Sequence, residues 1–261
     1  MLHDAQFGIG LYHYYADVAP MAARVLRVLL LLPGGDRAKG LREMLEARNQ
    51  GELLRGEADY QLHWLYLWYE DQPQRALELL NGLNARYPSN PAFLQRIAEV
   101  QDDYFHDHPA SAAAWTTLLA RAQSGDVATP GLAEARARLG LAVQFDAMDE
   151  TDRAIDELQA IVAARPPAAL ASAIAAAPML LARAHLLLAR AFDRTGERDR
   201  AVSAYNRVLA VTSTSDSGAD LRRQARDGLQ QRPDATRAQA YRLSLEGWRA
   251  LEAGDSTRAR P

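Results

Sequence analysis

The chain of 261 residues carries 33 acidic and 30 basic side chains, a net charge of −3, and contains no cysteine. The lack of cysteine excludes disulfides, thiolate metal sites and a cysteine nucleophile. Hydrophobic residues make up 48% of the chain. Many of them are Ala or Leu without the strict alternation of a strand, so the sequence predicts an all-α fold.

Charge is unevenly distributed along the chain. Residues 183–260 hold fifteen Arg and ten acidic residues, whereas residues 1–182 hold fifteen basic and 23 acidic residues. This polarity has two interpretations, a basic end that binds a partner or charged helix surface that faces water.

The N-terminal region begins with an aromatic helix over residues 5–17, in which Gly8 and Gly10 indicate close packing of a neighbour. Pro20 can open a second helix at its first turn. Asp36 is a suitable N-cap for a third helix. We therefore expect residues 20–49 to form one helix pair.

Two apolar runs are candidates for membrane insertion. Residues 21–32 are too short to span a bilayer and carry Arg24 and Arg27. Residues 166–182 lack charge, but they are mostly Ala and are interrupted by Pro178, which favours a helix in the protein core. The sequence predicts no membrane span.

Residues 52–70 predict a helix whose second half is apolar on nearly every face. Its aromatic residues Trp64, Trp68 and Tyr69 either belong to the core or stack on bases or on a peptide. A helix that is apolar all round is covered on more than one side, which favours the core. Further helices are expected over 73–87, 91–106 and 109–124, followed by a linker at 125–131.

The densest group of potential metal ligands is Asp102, Asp103 and His106, which a helix would place on one face. His108 follows in a turn before Pro109. A solvated acidic helix end is the simpler interpretation.

Three other histidines lie among apolar residues: His13, His63 and His185. Each is either a ligand or a hydrogen-bonded core side chain, and the core role is the commoner one. We expect no metal site in this chain.

Two helix pairs stand out in the C-terminal half. The first covers residues 132–145 and 151–165, closed by Pro166. The second covers residues 182–210, where the small residues Ala189 and Ala201 allow two helices to approach closely. Two bulky residues fill the space beside them: Phe192 and Tyr205.

Residues 182–213 resemble a tetratricopeptide repeat, with a Leu-small pair, an aromatic residue three positions later, a turn, and Ala followed by an aromatic residue. Residues 132–166 resemble the same repeat, and the resemblance continues more weakly over residues 20–260. It implies an irregular superhelix, a solenoid of antiparallel helix pairs, whose first helices line a concave groove. The spacing is irregular because 78 and 47 residues separate the anchor alanines Ala76, Ala154 and Ala201.

The groove implied by this resemblance would bind a peptide or a protein helix. The N-terminal segments FGIGLYHYYAD and LPGGDRAKGL are also similar to bacterial repeat proteins of unassigned role.

The best candidate contact residues are Arg183, Arg190 and Arg194, which are seven and four positions apart and share one helix face. By the repeat pattern this face is concave, and a row of guanidinium groups there can bind carboxylates or phosphates. The alternative is a solvated face whose charges pair with Asp193 and Glu197.

The last helix, over residues 235–252, adds Tyr241 and Trp248 to the candidate binding residues on the groove side. Residues 247–259 look like the start of another repeat. Both ends lack the polar face of a terminal repeat. We expect either that the chain is a fragment or that its ends associate with another copy.

These features predict a non-enzymatic scaffold that binds a protein or peptide. Enzyme motifs are missing, so we expect no catalytic residue and no cofactor. The predicted division is residues 1–124 with degenerate repeats, the linker at 125–131, and residues 132–261 with repeats, all in one solenoid. Without a signal peptide the chain as given would be cytoplasmic, or exported as a fragment of a longer precursor.

Two alternative functions stay open. The Arg-rich C-terminal third could bind nucleic acid or another anionic ligand, although we do not expect a nucleic acid. A metal-dependent enzyme centred on Asp103 and His106 is the third hypothesis.

Overall fold

The computed structural model describes residues 2–163, 167–211, 216–231, 235–252 and 254. These residues form α-helices and no strand, which confirms the predicted all-α fold. Pro166 and most of the half repeat after residue 252 lie outside the described residues. The helices are α1 (Leu2–Val18), α2 (Met21–Leu29), α3 (Arg37–Gln50), α4 (Arg55–Trp68), α5 (Pro73–Arg86), α6 (Pro91–Asp103), α7 (His108–Ser124), α8 (Pro130–Ala147), α9 (Thr151–Val162), α10 (Ala168–Ala176), α11 (Pro178–Thr195), α12 (Arg198–Val211), α13 (Asp216–Gln230) and α14 (Ala235–Glu252).

The chain divides into two compact units, residues 1–100 and 101–261. The sequence placed a linker at 125–131, but the short segment 125–129 there joins α7 to α8, which pack against each other. Gly125 makes this turn possible because it adopts a left-handed conformation, with φ of 79°, at the end of α7.

In the first unit α3 packs on α1, so the expectation that residues 20–49 form one helix pair is wrong. The two helices approach closely at Gly10 and Gly40. A Cβ atom on Gly40 would overlap the Tyr14 backbone nitrogen and the Gly10 carbonyl oxygen. Gly10 thus marks a close neighbour as predicted, whereas Gly8 has open space beside its Cα.

Two aspartates hold the backbone at the starts of α3 and α4. Asp36 accepts a hydrogen bond from the Lys39 backbone N–H at 2.8 Å, which confirms the predicted N-cap of α3. The Asp36 backbone N–H donates to the His13 carbonyl oxygen at 3.0 Å and so ties α3 to α1. Asp4 accepts from the backbone N–H groups of Leu53 and Leu54, just before α4.

The helices α4 and α5 also pack against each other in this unit, with Leu62, Leu65 and Leu80 fully buried. We expected the aromatic residues of α4 to lie in the core. That expectation is wrong at the C-terminal end of the helix, where Trp68 is 61% exposed. Trp64 is half-buried, and the Arg96 guanidinium lies 3.9 Å from the centre of its ring.

In the second unit, helices that follow one another pack in order: α7 on α8, α8 on α9, α9 on α11, and α11 on α12. Neighbour-to-neighbour packing of this kind is the pattern of a helical repeat array. Within the uncharged run 166–182, residues before Pro178 form α10, which packs on α8 and buries Leu170 and Ile174.

The α11–α12 pair has the predicted register. Ala189 and Ala201 are fully buried where the two helices meet, and Phe192 and Tyr205 are buried beside them. Gly196 ends α11 with φ of 80°, in the left-handed conformation. Ala154 is buried in the α8–α9 pair in the same way.

Among the described residues, no single helix has both the length and the apolar composition needed to cross a membrane. Together α10 and α11 would meet those two criteria, but they bend by 99° where they join.

Candidate functional site

A cleft of about 170 Å³ opens between α8, α9 and α11 in the second unit. Its wall is mostly apolar, and small alanines on all three helices leave the space open. The polar lining residues are Asp146, Arg190 and Arg194, and the apolar ones are Ala142, Val143, Ala154, Leu158, Leu187 and Ala191.

Helix α11 places Arg190 and Arg194 on the cleft because residues four positions apart lie one above the other on a helix. The opposite face of α11 is occupied by the packing against α12, through Ala189 and Phe192. The repeat packing therefore orients the arginines toward α8 and α9.

The two arginines differ in how they are held. The Arg194 side chain forms an ion pair with Asp146 of α8, and its guanidinium lies 5.8 Å from the centre of the Tyr241 ring. Arg190 is exposed and donates to the neutral Gln224 side chain at 2.7 Å. Arg194 is thus neutralised, whereas Arg190 forms no ion pair within the described part of the chain.

Helix α14 borders this site through two contacts with the start of α9. The Tyr241 hydroxyl hydrogen-bonds to the hydroxyl of Thr151, which is fully buried. Arg249 pairs with Asp152 one position further along α9. Tyr241 therefore positions α14 beside the cleft.

The structure brings together three of the five predicted contact residues, Arg190, Arg194 and Tyr241. Arg183 lies on the same face of α11 but does not line the cleft. Trp248 is 65% exposed on α14.

The alternative, in which the arginine row pairs with Asp193 and Glu197, is wrong. Asp193 instead accepts from Arg198 at 2.8 Å, and Glu197 pairs with Arg200. Arg198 and Arg200 are the nearer partners of these two carboxylates, because they follow directly after the turn between α11 and α12. Asp146 was not among the predicted contact residues, because its pairing with Arg194 joins residues on successive repeats and leaves no signal in local spacing.

The group expected around Asp103 and His106 is arranged differently. Asp102 Oδ1 lies 3.1 Å from His108 Nδ1, and Gln144 donates to Asp102 at 2.8 Å. Asp103 is exposed. Across the described ranges, no cluster of three or more His, Asp or Glu side chains is placed to hold a metal ion.

The three histidines in apolar surroundings have separate environments. His13 Nδ1 lies 2.6 Å from a Glu43 carboxylate oxygen. His63 is fully buried, and its ring nitrogens have no hydrogen-bond partner among the residues described. Burial lowers the pKa of both His63 and His185 to about 4.

Helix pairs that pack in chain order and cross at small residues define the class of this protein, an all-α repeat protein. The family model of the tetratricopeptide repeat matches residues 183–211, which include all of α12 and most of α11. No curated protein and no solved structure matches the chain. Residues 183–211 therefore form a tetratricopeptide-type repeat within this array of helix pairs. Such repeats generally mediate protein–protein interactions and are generally non-catalytic.

Proposed function

We propose that this protein is a non-enzymatic scaffold whose second unit binds an acidic segment of a partner protein at the cleft between α8, α9 and α11. The observation that carries the proposal is the position of Arg190, an exposed arginine without an ion pair in the described residues, at an apolar cleft. The matched repeat, residues 183–211, supplies the helix that presents it.

The size of the cleft favours a side chain as its occupant. Pockets for small ligands and cofactors usually enclose about 300–1,000 Å³, and this cleft has about 170 Å³. Its apolar wall suits one aliphatic or aromatic anchor of a polypeptide. Anchors of this kind carry most of the binding energy at protein interfaces.

The charges at the cleft favour an acidic group next to that anchor. Asp146 already neutralises Arg194, so an additional anion finds its counter-charge at Arg190. A carboxylate can replace the neutral Gln224 amide as the partner of the Arg190 guanidinium. Charge-assisted bonds of this type are stronger than neutral ones.

An array of immobilised synthetic peptides tests this proposal. We expect retention of peptides that combine an apolar residue with Asp or Glu, and loss of retention when the acid is replaced by its amide. Cross-linking of a retained peptide should map to α8, α9 or α11. Preference for basic peptides, or cross-links elsewhere, would contradict the proposal.

Arg190→Glu should weaken binding of a retained peptide at least about tenfold, because it places like charges together. The helical content measured by circular dichroism should stay unchanged, since Arg190 is exposed. Arg183→Glu is the matched control, because Arg183 lies on the same helix face outside the cleft. Equal effects of the two variants would show that the arginine row acts as ordinary charged surface.

The nucleic-acid alternative has weaker support. Five arginines of the C-terminal third are paired with acidic side chains, which reduces the field available to a polyanion. Binding of nucleic acid would fall steeply with salt, so an affinity for oligonucleotides with that salt slope would favour it over a protein partner. The paired arginines are Arg194, Arg198, Arg200, Arg223 and Arg249.

A further inference from the structure

Helix α2 is apolar and uncovered. None of its residues is buried. The large aliphatic side chains of this helix and of the three residues after it are between 50% and 92% exposed. They are Met21, Val25, Leu26, Val28, Leu29, Leu30, Leu31 and Leu32.

The apolar surface of α2 extends over more than half of the helix circumference. With about 100° between successive residues, the arc from Val28 through Val25 to Ala23 covers roughly 220°. A helix that packs on one protein face needs an apolar stripe of only about 100°. The surface of α2 therefore suits surroundings that enclose the helix.

Both charged residues of α2 are turned back toward α1. Arg24 donates to the carbonyl oxygens of Asp17 and Ala19 at 2.6 and 2.9 Å, and Arg27 donates to that of Ala16. These carbonyls lie at the C-terminal end of α1, where the helix dipole favours cations. The aliphatic side chains are left on the opposite side of α2.

Tyrosine side chains lie near the ends of this segment, where it connects to α1 and α3. The Tyr12 hydroxyl donates to the Pro33 carbonyl oxygen at 2.7 Å, at the end of the apolar run. The half-exposed Tyr15 and Tyr69 rings lie edge to face, with centres 6.0 Å apart. Arg37 joins this group to α1, donating from its side chain to the Tyr69 carbonyl and from its backbone N–H to Asp17.

We propose that α2 and Leu30–Leu32 insert into one leaflet of an anionic phospholipid bilayer. The segment is aliphatic, with Arg and Tyr at its base, and these residue types favour the membrane–water interface. The nine residues of α2 rise about 14 Å, and even with the three leucines that follow, the segment stays short of the roughly 30 Å hydrocarbon core. The segment would thus enter one leaflet, with its arginines among the anionic headgroups.

Flotation of the full chain with lipid vesicles tests this proposal. One set contains phosphatidylcholine alone, and the other contains in addition about 30% phosphatidylglycerol, an anionic lipid. We expect the chain to float with the anionic vesicles. The double variant Leu29→Asp, Leu31→Asp should lower its partition coefficient by about 100-fold or more, because two exposed leucines lose their burial in lipid.

The matched control is Leu243→Asp, Leu251→Asp, the same change at two exposed leucines of α14. Its partitioning should equal that of the unchanged chain. Both double variants should keep their circular dichroism spectrum, since all four side chains are exposed.

Three results would overturn the proposal. The unchanged chain could fail to float with either kind of vesicle, or both double variants could lose binding equally. The third result combines two measurements: the chain does not bind vesicles, and sedimentation velocity without lipid shows a dimer that the double variant at Leu29 and Leu31 abolishes. In that case α2 would bind a second copy of the chain.

Discussion

Two helix pairs of this protein, α1 with α3 and α11 with α12, both pack closely at small residues, but the chain connects the two helices differently in each pair. In α1 and α3 the close approach is at Gly10 and Gly40, and in α11 and α12 it is at Ala189 and Ala201. Only the turn at Gly196 and Glu197 separates α11 from α12, whereas residues 19–36 with the exposed α2 separate α1 from α3. A small residue at a crossing point therefore indicates close packing but does not identify the partner helix.

The two pairs also differ in what their connections leave uncovered. The turn between α11 and α12 is polar, and the large apolar residues of these two helices are buried or half-buried. The connection between α1 and α3 carries an aliphatic surface with no cover in the first unit. This difference underlies the separate roles that we propose for the two units.

Of the changes that test this comparison, Ala201→Arg in the α11–α12 pair should lower the unfolding free energy most. The long charged side chain would have to enter the contact between α11 and α12, where Ala201 has no exposed surface. Overpacking together with a buried unpaired charge should cost about 4 kcal/mol or more of unfolding free energy. Thermal denaturation followed by circular dichroism measures the loss, and Ala210→Arg, at an exposed position of α12, is the control. Equal melting temperatures of the two variants would contradict the register described for this pair.

The second expected effect is a pH dependence of the unfolding free energy, which arises from His63 in the first unit. Burial lowers the pKa of His63 to about 4 from an ordinary 6.5, so the unfolded chain binds the proton first. The contribution to stability is complete above pH 6.5 and is lost as the pH falls toward 4, by up to about 3 kcal/mol.

Replacement of His63 by Leu removes this titration. Urea unfolding at pH 7 and pH 4 should show a smaller decrease of unfolding free energy for the variant than for the unchanged chain. His185, whose pKa is also lowered to about 4, remains in both proteins and cancels in the difference. Parallel pH profiles would show that His63 is already paired or protonated in the folded state.

The smallest expected effect comes from two glycines with opposite surroundings. Gly40→Ala should destabilise the first unit by about 1–3 kcal/mol, because its Cβ would collide with the α1 backbone. Gly82→Ala should instead stabilise α5 by up to about 1 kcal/mol, since Gly82 has open space and Ala is the better helix former. Denaturant unfolding of both variants checks the signs, and two stabilising changes would show that α1 and α3 are not in close contact.

Local features of the fold followed directly from the sequence. The N-cap at Asp36, the helix end at Gly196 and the buried alanines of α12 each depend on residues a few positions apart. The arginines of α11 were placed on one face for the same reason. The cleft beside them required the positions of α8 and α9, which lie in the preceding repeat.

The sequence by itself determined the helices, their ends and the tetratricopeptide-type register of α11 and α12, because capping and helical periodicity act within one or two turns. Tertiary structure decided that α3 packs on α1 and that α2 stays exposed. It also decided that Arg194 forms an ion pair with Asp146, whereas Arg190 forms none within the described residues. Each of these depends on which distant segments meet. Small and apolar residues favour close packing equally with any partner of matching shape, so their pattern alone cannot identify the one that is used.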